Sequence, residues 1–257
     1  MEPHKIVSEQ EWIAARKALL VTEKAFSKER DRLTAEQRAL PWVKVEKDYV
    51  FDGPLGKVTL TQLFNGRSQL FIKHFMMGPG ATHQCVGCSF EVDHIDGILD
   101  HLENHDVAYA VVARAPIEEI EAVRKRMAWH FTWVSSHKND FNYDFNVSFK
   151  PEAVAAGNAY YNFQQTDPGL EDLSGNSVFF KDEAGQIFHT YSTFGRGAEE
   201  FLGAYRFIDV TPKGRNENGP NHSLGDWVRL KNTYGQGGMV EANGRYHAAD
   251  CACAVHK

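Results

Sequence analysis

No stretch of this chain approaches the roughly 18 consecutive apolar residues that a membrane-spanning helix needs. No basic run with interleaved aromatics is present either, and the formal net charge is −6. Both features argue against a general nucleic-acid binder. The first residues, Met1 to Ser8, lack the apolar centre of a secretory leader. The expectation is therefore a cytosolic protein with neither a membrane nor a nucleic acid as partner. Internal repeats and low-complexity segments are absent. Cysteine is sparse, with four in 257 residues, but 42% hydrophobic and 12% aromatic content can bury a core that needs no disulfide staples. The length suits one large domain or two small ones.

Two of the few cysteines lie three apart, in Thr82-His83-Gln84-Cys85-Val86-Gly87-Cys88-Ser89-Phe90. The apolar run Leu70 to Met77 before them reads as a buried strand. Ile95, Ile98, Leu99 and Leu102 after them have helical spacing. Strand, loop, Cys-x-x-Cys and helix form the layout of a thioredoxin-type redox site. A helix start offers free backbone N–H groups that stabilise a thiolate, the species that attacks disulfides and peroxides.

Ser8 and Glu11 form a capping-box pattern ahead of an amphipathic helix predicted over 8–39, with Trp12, Ala15, Leu19, Leu20 and Phe26 as its apolar stripe and Pro41 as its stop. That stripe is expected to pack against the main domain or against a second copy, as a homodimer. Tyr49-Val50-Phe51 and Val58-Thr59-Leu60, joined by Asp52-Gly53-Pro54, read as a hairpin. A helix is predicted over 89–104, then a central strand at Val107–Ala113 and a helix with Pro116 at its first position. The order β-α-β-α implies a parallel pair with right-handed crossovers. Ser177–Phe180 and Ile187–Tyr191 read as a second hairpin. In the polar tail from about 213, only Leu224–Leu230 reads as ordered, as a short helix.

Several stretches resemble the thioredoxin-like bacterial family known as domain of unknown function 899. They are Glu11–Arg16, Leu40-Pro41-Trp42-Val43, Lys47–Phe51, Arg114-Ala115-Pro116, Trp133–Ser136, Asp140–Phe145, Tyr191-Ser192-Thr193 and Asp209–Arg215. The resemblance spans about 8–230. It implies an α/β fold with a thioredoxin-like central mixed sheet flanked by helices. A helical extension would occupy 1–46, the thioredoxin-like domain 47–212, and an irregular extension with a Cys/His tail 213–257. Ser177 then stands where ordinary thioredoxins place a cis-proline facing the cysteine pair. Thr82, three before Cys85, is similar to the peroxiredoxin signature, although Pro79 is one residue too close. No arginine lies just ahead of Val178–Phe180, where peroxiredoxins usually carry one.

The residues themselves suggest that Cys85 attacks and Cys88 resolves. Thr82 can hydrogen-bond an oxyanion or the thiolate, and His74, His83 and His94 can move protons. Arg114 would hold an anionic substrate or a thiolate, or else form a salt bridge to Asp140 or Asp144. The substrates would be a small-molecule thiol, disulfide or peroxide, with a reductant protein as partner. A second reading is a metal site, copper or zinc, on His83, Cys85 and Cys88 with His94 or His74. The tail adds Cys251, Cys253 and His256, either a dithiol that reduces the Cys85–Cys88 pair or ligands for a soft metal. The plain alternative is a pair of inert core cysteines. The aromatic run Trp129, Phe131, Trp133, Phe141, Tyr143 and Phe145 would wall a pocket or form a packed layer.

Overall fold

The computed structural model describes residues 4–215, 217–236, 239–240 and 246–247. It divides into two compact units, Met1–Trp42 and Val43–Lys257. The first unit is one helix, α1 (Glu9–Arg38). Its capping box forms: the Glu11 amide donates to Ser8 Oγ at 3.3 Å, and the Ser8 amide donates to Glu11 Oε2 at 3.0 Å. Along its length Arg16 pairs with Glu23, and Arg32 with Glu29 and Glu36. No residue of α1 is buried, and Trp12, Leu19 and Phe26 are 58%, 54% and 63% exposed.

In the second unit the elements follow as β1 (Val43–Lys44), β2 (Val50–Gly53), β3 (Gly56–Thr59), α2 (Leu60–Leu63), β4 (Gln69–His74), α3 (Val86–Val92), α4 (Leu99–Asn104), β5 (Val107–Ala113), α5 (Ile117–Met127), β6 (Thr132–Ser135), α6 (Phe141–Asp144), α7 (Pro151–Ala155), β7 (Ala159–Tyr161), β8 (Gln164–Thr166), β9 (Gly175–Lys181), β10 (Ile187–Phe194) and α8 (Gly203–Ile208). Eight strands form one mixed sheet in the order β1-β10-β9-β4-β5-β6-β2-β3. β4, β5 and β6 are parallel, whereas β9 runs antiparallel to β4 and β10 antiparallel to β9. A parallel βαβ unit flanked by an antiparallel hairpin is the thioredoxin-like sheet. β5 is buried at every position but Val107, as a central strand covered on both faces must be.

Alternation along β4 divides its side chains between two cores. Leu70 and Ile72 join Phe51, Val112, Phe141 and Phe179 on one face. On the other face Phe75 joins the cysteines, Val111, Trp129, Phe131 and Trp133. Most of the aromatic run is therefore a packed layer.

Three elements differ from expectation. The helix predicted over 89–104 is α3, a 3-10 turn at Ile95–Gly97 and α4. Its polar residues are engaged elsewhere: Asp93 accepts the Trp129 indole N–H at 2.9 Å, and Asp96 accepts the His130 and Phe131 amides at 2.9 and 3.0 Å. The predicted helix at Leu224–Leu230 is a single 3-10 turn, Leu224–Asp226, and the residues after it join the cysteine-side core through Val228 and Leu230. Ser177 does not face the cysteines. It lies within β9 opposite Ile72 and bonds His74 Nε2 at 2.9 Å on the other face of the sheet, whereas Ser174, just ahead of β9, lines the cysteine cleft.

Candidate active site

Strand β4 ends at His74, and the chain continues through Phe75 and Met76 beneath the cysteine loop. Cys85 is the extended residue that caps α3, with φ −62° and ψ 115°. Its sulfur accepts the Cys88 backbone N–H at 3.3 Å and lies 3.7 Å from Met76 Sδ. The Met76 amide donates to Cys88 Sγ at 3.4 Å. Residues not singled out from the sequence hold the loop: Arg126 donates to Gln84 Oε1 at 2.6 Å, Gln84 to Ser89 Oγ at 2.8 Å, and the Ser89 hydroxyl to the Cys85 carbonyl at 2.7 Å. Both thiols are free, and Cys85 is 6% exposed against 2% for Cys88.

The two sulfurs differ in acidity. The Cys88 thiol, hydrogen-bonded to Cys85, is the main cause that draws the Cys85 pKa down to about 7. Burial opposes it, while the Cys88 amide, the Lys73 charge and the Gly87 amide assist. Cys88 moves the other way, well above the ordinary thiol value, because burial and the neighbouring Cys85 disfavour its thiolate. The charge comes from Lys73, which is 0% exposed and ion-paired with buried Glu91 of α3. A buried lysine is stable only with such a partner. The one readable signal was a lone cation inside an apolar strand run.

The sulfurs border a cleft of about 310 Å³ that Met76, Glu91, Ser174 and Arg196 line from the main fold. Glu217, Ser223, Leu224 and Gly225 close it from the carboxyl-terminal segment. An arginine thus reaches this cleft from the start of the 3-10 segment after β10. It ion-pairs with Glu199 at 3.2 Å, and Glu199 is also held by Arg215 at 2.8 Å.

Other candidates lie elsewhere. Thr82 is exposed, and neither it nor His83 lines the cleft. Arg114 is clamped by Asp172 at 2.7 and 2.8 Å, by Glu171 at 3.0 Å and by the Tyr143 hydroxyl at 2.9 Å. Its partners are not Asp140 and Asp144, which hold Lys47. His74 projects to the opposite face, where burial first, and then Lys73 and His189, lower its pKa to about 3. His94 is held below its ordinary value by burial. Among the described residues, no three His, Cys, Asp or Glu side chains come together as a metal site would require. Cys251, Cys253 and His256 lie outside the described residues.

Solved structures similar to this chain include peroxiredoxin Q of Xanthomonas campestris in a cysteine-to-serine mutant form. It is 15% identical over 62% of this chain and 90% of that one, with a TM-score of 0.41. Peroxidoxin BcpB of Mycobacterium tuberculosis is 12% identical over 66% of this chain and 97% of that one, with a TM-score of 0.43. No curated protein matches the sequence at a significant level. The family described as bacterial protein of unknown function (DUF899) matches residues 1–234, and the chain belongs to it.

Proposed function

We propose that this protein is a thiol-dependent oxidoreductase in which Cys85 attacks and Cys88 resolves. The observation that supports it is the polarised pair. One sulfur caps α3, accepts the Cys88 backbone N–H at 3.3 Å and is drawn below the ordinary thiol value, chiefly by the Cys88 thiol, which favours its thiolate, whereas the other is pushed above it. With a peroxide, the Cys85 thiolate takes one oxygen and breaks the O–O bond, becoming a sulfenic acid while an alcohol or water leaves. The Cys88 thiol then attacks that sulfur, water departs, and the Cys85–Cys88 disulfide forms. With a disulfide substrate, Cys85 forms a mixed disulfide and Cys88 displaces the reduced product. An external thiol, small or protein-borne, supplies the two electrons that regenerate the dithiol. The cytosol, which keeps thiols reduced, is the compartment where this cycle closes.

The test is peptide mapping of the full chain after one equivalent of hydrogen peroxide or of oxidised glutathione. A Cys85–Cys88 disulfide is expected with at least one oxidant. Cys85→Ser abolishes it, and Cys88→Ser leaves a sulfenic acid that dimedone traps, or a mixed disulfide. Equal oxidation of the Cys85→Ser variant, or no Cys85–Cys88 disulfide with either oxidant, would overturn the proposal.

A further inference from the structure

A second cleft, of about 430 Å³, opens on the face of the sheet opposite the cysteines. Three independent features mark it as built. The first is a hydrogen-bonded chain of side chains. His74 Nε2 lies 2.9 Å from Ser177 Oγ, which lies 2.9 Å from Ser192 Oγ, which lies 2.7 Å from His189 Nε2. His189 and Ser192 are three apart on one strand and would ordinarily point to opposite faces. A β-bulge between His189 and Tyr191 rotates them onto the same face. Bulges recur where a side chain is re-aimed toward a site.

The second feature is strain. Asn162 and Phe163 are the two-residue link between β7 and β8, with φ of 50° and 63°. Such a link favours glycine at its second position, because a side chain there is crowded in the left-handed region. Here that position carries a phenylalanine, which is 67% exposed. Neither burial nor backbone preference explains it. Its ring stands 5.5 Å from Phe194 on the cleft wall. Asn146, a third left-handed residue, lines the same cleft.

The third feature is the balance of polar groups. The cleft's charges are already used: Lys47 is held by Asp140 and Asp144 at 2.9 and 2.8 Å, Lys44 by Glu46 at 2.9 Å, and the Tyr49 hydroxyl by Asp144 at 2.7 Å. The side-chain amides of Asn146 and Asn162 bond no described residue. Free amides beside exposed rings match a flat ligand with its own donor and acceptor edge.

We propose that this cleft binds an uncharged planar heteroaromatic ring, stacked on Phe163 and hydrogen-bonded along its edge by Asn146, Asn162 and the His189–Ser192 pair. Aromatic stacking of this kind is sequence-tolerant and strong per ring. A phosphate on the ligand adds nothing, because no lining cation among the described residues is unpaired.

The test is equilibrium titration of the full chain with three neutral probes of this class, lumiflavin, adenosine and thymidine, followed by ligand fluorescence or ligand-observed NMR. At least one should saturate below about 1 mM, an affinity that a single stacked ring can support. Phe163→Gly should weaken it about tenfold or more while leaving the melting temperature equal or higher, since glycine relieves the turn. A purely structural phenylalanine would give the reverse. Asn146→Ala with Asn162→Ala should also weaken it. Adding a phosphate, as in flavin mononucleotide against riboflavin, should not tighten binding. Binding should persist in Cys85→Ser/Cys88→Ser, so failure of the thiol chemistry leaves this proposal standing. No saturable binding of any probe, or unchanged affinity in Phe163→Gly, would overturn it.

Discussion

Replacing Cys88 by alanine removes the thiol that contributes most to the acidity of Cys85. A hydrogen bond to a charged group is worth about 1.5–3 kcal/mol, or roughly one to two pKa units. The Cys85 midpoint should therefore climb from about 7 to roughly 8–9. The Cys88 amide at 3.3 Å and the Lys73 charge persist in the variant and limit the rise. Cys88→Ser keeps a hydroxyl donor in place and should leave the midpoint near that of the unsubstituted protein. The assay is the pH dependence of iodoacetamide alkylation, with Cys251 and Cys253 replaced by serine so that one thiol is read. The midpoint is the decisive quantity, not the rate at pH 7. Thiolate fraction falls about tenfold, but the more basic thiolate is a better nucleophile and recovers about threefold of that. An unchanged midpoint in Cys88→Ala, or equal shifts in the alanine and serine variants, would refute the assignment of the thiol as donor.

Acid should destabilise the fold through His74. Its folded pKa is about 3, so below its ordinary value near 6.5 the unfolded chain binds a proton that the native state does not. Stability then falls as pH drops from about 6.5 to 3, by about 1.4 kcal/mol per unit from this group, and is unaffected above that window. Urea midpoints should show the slope, and His74→Phe should reduce it, with the remainder set by His94 and His189, which burial also holds below their ordinary value; a slope unchanged by the substitution would clear His74 of responsibility. Lys73→Met strands Glu91 in the core and should cost about 3–5 kcal/mol in urea unfolding, whereas Lys73→Met/Glu91→Leu should recover most of the loss. Both variants should raise the Cys85 midpoint, and a single variant as stable as the parent would mean that the pair does not form in solution.

Some elements were legible because nothing competes with their local pattern. Val107–Ala113 is a strand because a continuous apolar run of that length in a βαβ order is buried on both faces. The Ser8–Glu11 cap depends only on neighbours. The rest required contacts across the chain. Ile95, Ile98, Leu99 and Leu102 do have helical spacing, but Asp93 and Asp96 are engaged by residues 129–131. Arg114 could have met any nearby acid, and it is Asp172, far along the chain, that the fold presents. Placing Ser177 opposite the cysteines assumed a strand beginning after it, whereas β9 begins at Gly175. The cysteine motif pointed to the two sulfurs that sit at the start of α3 and border the cleft. It did not show Lys73 and Glu91, because Glu91 alone reads as an ordinary helix-surface acid.

The carboxyl-terminal wall of the thiol cleft has a consequence for how the protein is made. Glu217, Ser223, Leu224 and Gly225 border the sulfurs, and Val228 and Leu230 anchor that stretch in the same core. A ribosome delivers this stretch long after it has delivered both thiols. A nascent chain halted before residue 217 presents Cys85 without the surface that shapes its approach. The approach to Cys85 is therefore shaped only after residues 217–230 have been added to the chain.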